Sequence, residues 1–178
     1  MSATRPRPSD DAEPSVPRRP VPGRGVVVAR DVPVDASVAF AWVADLRTHP
    51  RFIPLTRMAT PATRGPEVGD RVTMVSGPLV DRTGRGFRDR MVVESLVRPS
   101  TTTGRRGSTR VRKEGPVLLG DAGFVVVPQS ADRCRVVWWE DAYLAGPLPR
   151  RVSAPLVGIA LRWMMRVSLR RLGLLLTR

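Results

Sequence analysis

An α+β fold, with an antiparallel sheet closed by one long helix, is what this chain predicts, and three observations predict it. Apolar stretches alternating with a period of two are grouped between about Gly69 and Leu144, instead of interleaving one by one with helical stretches. Glycines and prolines divide that group at spacings that suit hairpins. One long helical pattern then runs from Ser153 to the C-terminus, after the last strand.

The elements follow in order. Residues 1–23 carry Pro6, Pro8, Pro14, Pro17, Pro20 and Pro22 among mixed charges and contain no apolar run. They are expected to form a disordered tail, since they cannot bury enough surface to offset the entropy of ordering, and residues 24–178 to form a single domain. The tail lacks the apolar core of a signal peptide. "GVVVARDVPV" reads as a strand ended by a proline-containing turn. In "VDASVAFAWVADLRTHP", Asp35 suits an N-cap, and Val38, Trp42 and Leu46 recur at i, i+4 and i+8, so a helix is expected up to Pro50. "RFIP" adds a short second helix or turn closed by Pro54.

The strand series begins with "GDRVTMVSG". "TGRG" (83–86) signals a hairpin into "FRDRMVVESLV", which Pro99 stops. "TGRRGSTRVRKEG" reads as a polar hairpin at the sheet edge, and "GFVVVP" as a short buried strand. "SADR" turns the chain into "CRVVWWEDAYL". With the first strand, the sheet has about six to seven strands.

Ser153 is the expected N-cap of the last helix, with Pro155 in its first turn. At about 100° per residue, Arg162, Arg166 and Arg170 form one stripe. Leu161, Met164, Met165, Ser168, Leu172 and Leu175 fall opposite, with Trp163 and Val167 on a flank. This apolar arc exceeds half the circumference, wider than a core-facing stripe. A membrane span needs about 18–20 largely uncharged residues, whereas the longest charge-free run, Val152 to Leu161, has ten. The helix is read as lying along the sheet with its arginines in water; an interfacial helix, apolar below and basic above, is the alternative.

Composition narrows the chemistry. The formal charge is +14, but Lys113 is the only lysine. An arginine bias of this kind also follows from GC-rich coding, so the charge is discounted as a polyanion signature, and nucleic acid is not the expected partner. Cys134 and His49 are the only cysteine and histidine. That rules out an intrachain disulfide and a His/Cys zinc site, so no metal and no cofactor are expected. A reducing, cytoplasmic setting fits the cysteine usage.

Alternation along "RCRVVWWEDAYL" puts Arg133 and Arg135 in water and Val136, Trp138, Glu140 and Ala142 on the inner face. Trp139 and Tyr143 then point outward. A carboxylate on an apolar wall has a raised pKa, which suits an acid or base. The favoured reading of Glu140 is milder, a place near a cavity mouth bonded to Arg88 or Arg90.

Four stretches together resemble the START-like, or SRPBCC, superfamily, near its polyketide cyclase/dehydrase and lipid-transport group. "VVVARDVPVDASVAFAWVADLRTHPRFIP" is similar to that family's first strand and helix pair, and "EVGDRVTMVSG" to a long second strand. "VVESLVRPS" resembles a strand ending in a proline turn. "VVVPQSADRCRVVWWEDAYLAGPL", with the helix after it, resembles the closing hairpin and C-terminal helix. The chain departs from the pattern at Phe52 and Ile53, where the family often has a tryptophan, and at Ala131-Asp132-Arg133, where it often has Gly-Thr.

The resemblance implies a helix-grip fold: a curved antiparallel sheet wrapped around the long C-terminal helix, with two short helices after the first strand and a deep apolar cavity between. Phe52, Met91, Phe124, Val126 and Trp138, with Leu161, Trp163, Met164, Met165 and Ser168 of the helix, are the expected lining. It implies binding of a hydrophobic small molecule such as a lipid, an isoprenoid or a polyketide-like compound. One alternative is a polyketide aromatase/cyclase or dehydratase, with Glu140 as acid or base and an arginine or Tyr143 stabilising an enolate. A further alternative is a basic module using residues 105–113 and the arginine stripe on nucleic acid or an anionic membrane, with peripheral membrane contact as a secondary role. Oligomeric state stays open.

Overall fold

The computed structural model describes residues 25–59 and 65–178, so the tail expected over 1–23 lies outside the described residues. The chain runs β1 (Val26–Val32), α1 (Ala36–Ala44), a 3-10 turn (Leu46–Thr48), α2 (His49–Phe52), β2 (Thr56–Met58) and β3 (Arg71–Ser76). It continues through α3 (Val80–Thr83), β4 (Phe87–Val97), β5 (Gly107–Pro116), β6 (Leu118–Ser130), β7 (Arg133–Leu144) and α4 (Arg150–Leu176). All seven strands join one antiparallel sheet in the order β1-β7-β6-β5-β4-β3-β2. The sheet curls into a half-barrel with α4 packed on β1 and β7, which is the helix-grip arrangement. Register shifts at Arg90/Met91 and Val93/Ser95 in β4, and at Pro128/Ser130 in β6, mark irregularities of the kind that bend a strand and increase its twist.

Local sequence explains most element ends. Asp35 caps α1, its carboxylate accepting from Ser37 N–H at 2.7 Å. The helix stops at Ala44, before Pro50, because Asp45 takes up extended backbone and accepts from Arg47 N–H to start the 3-10 turn. Pro50 instead lies in the first turn of α2, where a missing N–H costs nothing. The buried face of α1 is also not the expected one. Ala36, Ala39, Phe40 and Val43 pack inward, while Val38 is exposed and Trp42 lies partly buried under the Arg51 guanidinium. Small residues win because α1 packs closely on β5, β6 and β7. Gly107 is part of that fit, since a Cβ there would lie 2.6 Å from the Phe40 ring.

Three further expectations are corrected. The "TGRG" segment is no tight hairpin: α3 fills the β3–β4 connection, and Gly84 caps it in the left-handed region at φ 67°. "RGSTRVRKEG" is not a sheet edge but β5, the central strand of the sheet, with Thr109, Val111 and Lys113 buried in alternation. The helix α4 begins at Arg150, with Pro149 in the N-cap position and no side-chain cap, not at Ser153. Ser153 is fully buried and its hydroxyl has no partner among the described residues.

Half of the interior is tightly filled. Val32, Phe40, Phe52, Val126, Cys134 and Val136 pack with Met165, Leu169 and Leu172 of α4 in one cluster. Each such aliphatic or aromatic side chain contributes about 1.5–3 kcal/mol by leaving water.

Candidate functional site

Beside that filled region the half-barrel is hollow. A cavity of about 470 Å³ lies between the N-terminal half of α4 and the inner faces of β3 to β7, with Leu46, His49 and Ile53 closing one side. Its wall is mostly apolar: Met74, Met91, Val93, Val111, Phe124 and Trp138 from the sheet meet Val157, Ala160, Leu161 and Met164 from α4. Leu55 and Phe87 both border the cavity and remain 44% and 42% exposed, so they stand at its rim.

Three charged side chains interrupt this wall: Asp89 of β4, Lys113 of β5 and Glu140 of β7. All three are buried. Strand alternation places them there, since Phe87, Asp89, Met91 and Val93 share one face of β4, as Thr109, Val111 and Lys113 share one of β5. The strand between Lys113 and Glu140 carries small residues at the crossing points. Gly120 pairs with Lys113, and Ala122 with Glu140. Strands two apart are about 9–10 Å from one another, and with no bulky side chain between them the lysine stem reaches across. The ammonium Nζ lies 3.0 Å from Glu140 Oε1 and donates a hydrogen bond to Asp89 Oδ2. The other Asp89 oxygen, Oδ1, is buried without a partner among the described residues.

Burial sets the protonation of this cluster. It pushes the Glu140 carboxyl above its ordinary value, and the neighbouring Lys113 offsets this only in part. For Lys113 burial acts downward, but the two carboxylates outweigh it and hold the ammonium above its usual range. One cation thus faces two carboxyl groups, and burial favours the protonated form of Glu140. Across the cavity His49 is buried, and desolvation lowers its pKa to about 4, so its ring is neutral near pH 7. Its Nε2 lies 3.0 Å from the Val43 carbonyl. A carbonyl only accepts, so Nε2 carries the proton and Nδ1 is left as an acceptor.

The predicted site residues divide into three groups. Met91, Phe124, Trp138, Glu140, Leu161 and Met164 border the cavity. Phe52, Val126, Met165 and Ser168 lie in the filled core instead; Phe52 packs edge-on against His49, and Ser168 donates to the Met164 carbonyl at 2.8 Å. Trp163 and Tyr143 point away from it. Trp163 is 66% exposed, and Tyr143 lies on the outer face beneath the Arg150 guanidinium. Glu140 pairs with Lys113, not with Arg88 or Arg90, both of which are exposed. Residues 105–113 do not make a free basic patch. Arg110 and Arg112 pair with Glu94 of β4 and Arg110 also with Asp121 of β6, Arg112 pairs with Glu114 along its own strand, and Lys113 is inside. Sequence reasoning passed over Asp89 and Lys113. The available signal was the one lysine in an arginine-rich chain, in phase with Thr109 and Val111.

A family model described as polyketide cyclase / dehydrase and lipid transport matches residues 24–176. A search of curated proteins finds no match. Among solved structures, hypothetical protein jhp0584 from Helicobacter pylori is 16% identical, with a TM-score of 0.62 over 86% of this chain and 89% of its own. A START superfamily protein from Mycobacterium smegmatis is 15% identical, with a TM-score of 0.58 over 85% and 95%. The di-domain ARO/CYC BexL, from the BE-7585A biosynthetic pathway, is 17% identical, with a TM-score of 0.55 over 85% of this chain and 45% of its own. At such identities the likeness establishes the fold.

Proposed function

The chain belongs to the polyketide cyclase / dehydrase and lipid transport family, and we propose that its cavity holds an apolar small molecule bearing one oxygen-containing polar group. The observation that carries this reading is an apolar cavity whose only charged lining residues, among the described residues, are Asp89, Lys113 and Glu140. Its volume of about 470 Å³ falls in the range of about 300–1,000 Å³ typical of small-molecule sites. An ammonium has three N–H donors. Two face Asp89 and Glu140, which leaves one for a carbonyl or hydroxyl oxygen of the ligand. The methionines Met74, Met91 and Met164 suit a wall that repacks around ligands of differing shape. A lipid, an isoprenoid or a polyketide-like compound meets these requirements.

Native mass spectrometry of the purified protein tests the proposal. The expected result is a co-purified apolar molecule that dissociates under activation, and weaker retention of it in Lys113→Met. A protein that purifies empty and binds no fluorescent fatty acid would sink the reading.

Turnover is the second reading, favoured by the raised pKa of Glu140 opposite a cation. Asp89 takes the α-proton of a carbonyl substrate, Lys113 stabilises the enolate oxygen so formed, and a protonated Glu140 gives its proton to the β-hydroxyl that leaves as water, an arrangement suited to cyclisation with dehydration. Glu140→Gln is then expected to abolish turnover of a polyketide-like substrate and to leave binding of a stable analogue intact. Equal loss of both would assign Glu140 to binding alone.

A further inference from the structure

The wide apolar arc of α4 is more than the sheet and cavity use. Val152, Leu156, Ile159 and Trp163 recur along one side of the helix and are 46%, 60%, 72% and 66% exposed. At about 100° per residue they fall within one stripe, which lies beside the cavity-facing residues Val157, Ala160 and Met164. Ala160 is itself exposed and joins the stripe to the cavity rim. The opposite flank of the stripe carries Arg162 and Arg166, and Arg170 continues the line of the stripe beyond Trp163, all three exposed. Throughout its 27 residues α4 carries no aspartate or glutamate.

We propose that this face of α4 docks flat on an anionic lipid surface, with Ile159 and Trp163 entering the headgroup–acyl boundary and the arginine row contacting acidic headgroups. Soluble proteins seldom leave a contiguous row of large apolar side chains in water without a partner. An apolar stripe with a basic flank is the pattern of an interfacial helix, and indole rings favour that boundary. The charge decides between occupants. A second copy of this chain packed antiparallel on the same face by two-fold symmetry would set one arginine row beside another with no carboxylate on either helix to relieve it. A span is ruled out because Leu161, Met165, Leu169 and Leu172 hold the helix against the rest of the domain. The proposal rests on the outer face alone and stands whatever fills the cavity.

Flotation of the full chain with lipid vesicles tests it. Wild type is expected to float with vesicles of phosphatidylcholine and phosphatidylglycerol, to bind pure phosphatidylcholine weakly, and to be released by salt. The triple variant Arg162→Gln, Arg166→Gln, Arg170→Gln is expected to lose roughly 100-fold in partitioning, at about fivefold per arginine. Ile159→Ser with Trp163→Ser is expected to abolish binding without lowering the melting temperature, since both side chains lie in water. Failure of wild type to float, or flotation of the Ile159/Trp163 variant like wild type, would overturn the proposal. So would a dimer in sedimentation velocity that the same variant dissociates, because the stripe would then be a subunit interface.

Discussion

The two halves of the interior are built from the same kinds of residue, yet one is solid and the other hollow. In the solid half, Phe52, Val126, Val136 and Leu172 interlock with no charge among them. In the hollow half, Met74, Met91, Val93 and Val111 face an open space shared with Asp89, Lys113 and Glu140. Strand alternation is common to both, so it does not decide which half fills. Side-chain reach does: the C-terminal half of α4 presents Met165, Leu169 and Leu172 to the sheet. Toward the cavity the helix presents the shorter Val157 and Ala160 beside Leu161 and Met164, and a gap is left.

The sharpest way to break the contrast is to disturb the charges. Lys113→Met leaves two buried carboxyl groups without their cation, and is expected to cost about 3–5 kcal/mol in chemical denaturation at neutral pH. The loss should shrink in acid as the carboxyls take up protons. Replacing Asp89 and Glu140 by leucine in the same variant would turn the hollow half into an apolar one. That change is expected to be close to neutral for stability.

A matched pair of truncations then compares the halves directly. Phe52→Ala opens a new cavity in the solid half and should cost about 3–5 kcal/mol. Met91→Ala enlarges a space already present, so it should cost about 1–2 kcal/mol, the loss of transfer energy alone. Equal costs in urea titrations would mean that the hollow half closes up in solution.

A further comparison is that of pH, through the histidine at the border of the two halves. Unfolded, His49 takes up a proton near its ordinary value of 6.5; folded, it does so only near 4. Between those values the unfolded state binds more protons, so stability should fall as pH drops from 6.5 to 4, by about 3 kcal/mol. Glu140 acts the other way, since its raised value means that the native state gives up stability as pH rises past the ordinary carboxyl range. Thermal melts of His49→Phe should lack the acid slope between pH 6.5 and 4 if this assignment is right.

Element order and the inner face of β7 were legible in the sequence, because alternation in "RCRVVWWEDAYL" is regular and polar residues mark the outer side. The helix pair, the strands β3 and β4 and the buried face of α4 from Leu161 onward were legible for the same reason. What was not legible depends on neighbours distant in sequence. The central strand β5 looked like an edge because Arg110 and Arg112 seemed destined for water; in the fold they cover the outer face, paired with Glu94, Glu114 and Asp121. Lys113 was hidden among them, since its carboxylate partners come from β4 and β7. Met165 and Ser168 were placed on the correct side of α4, but depth along the helix, which separates core from cavity, has no periodic signal.

Cys134 lies fully buried in the solid half, and desolvation raises its pKa to about 11. Within these 178 residues it has no second thiol to pair with, and as a buried, protonated thiol it is a poor nucleophile toward oxidants and disulfides. Nothing that holds either half together therefore depends on the redox potential of the surroundings. The fold is indifferent to an oxidising or a reducing compartment, so cysteine usage, which suggested the cytoplasm, does not discriminate between them.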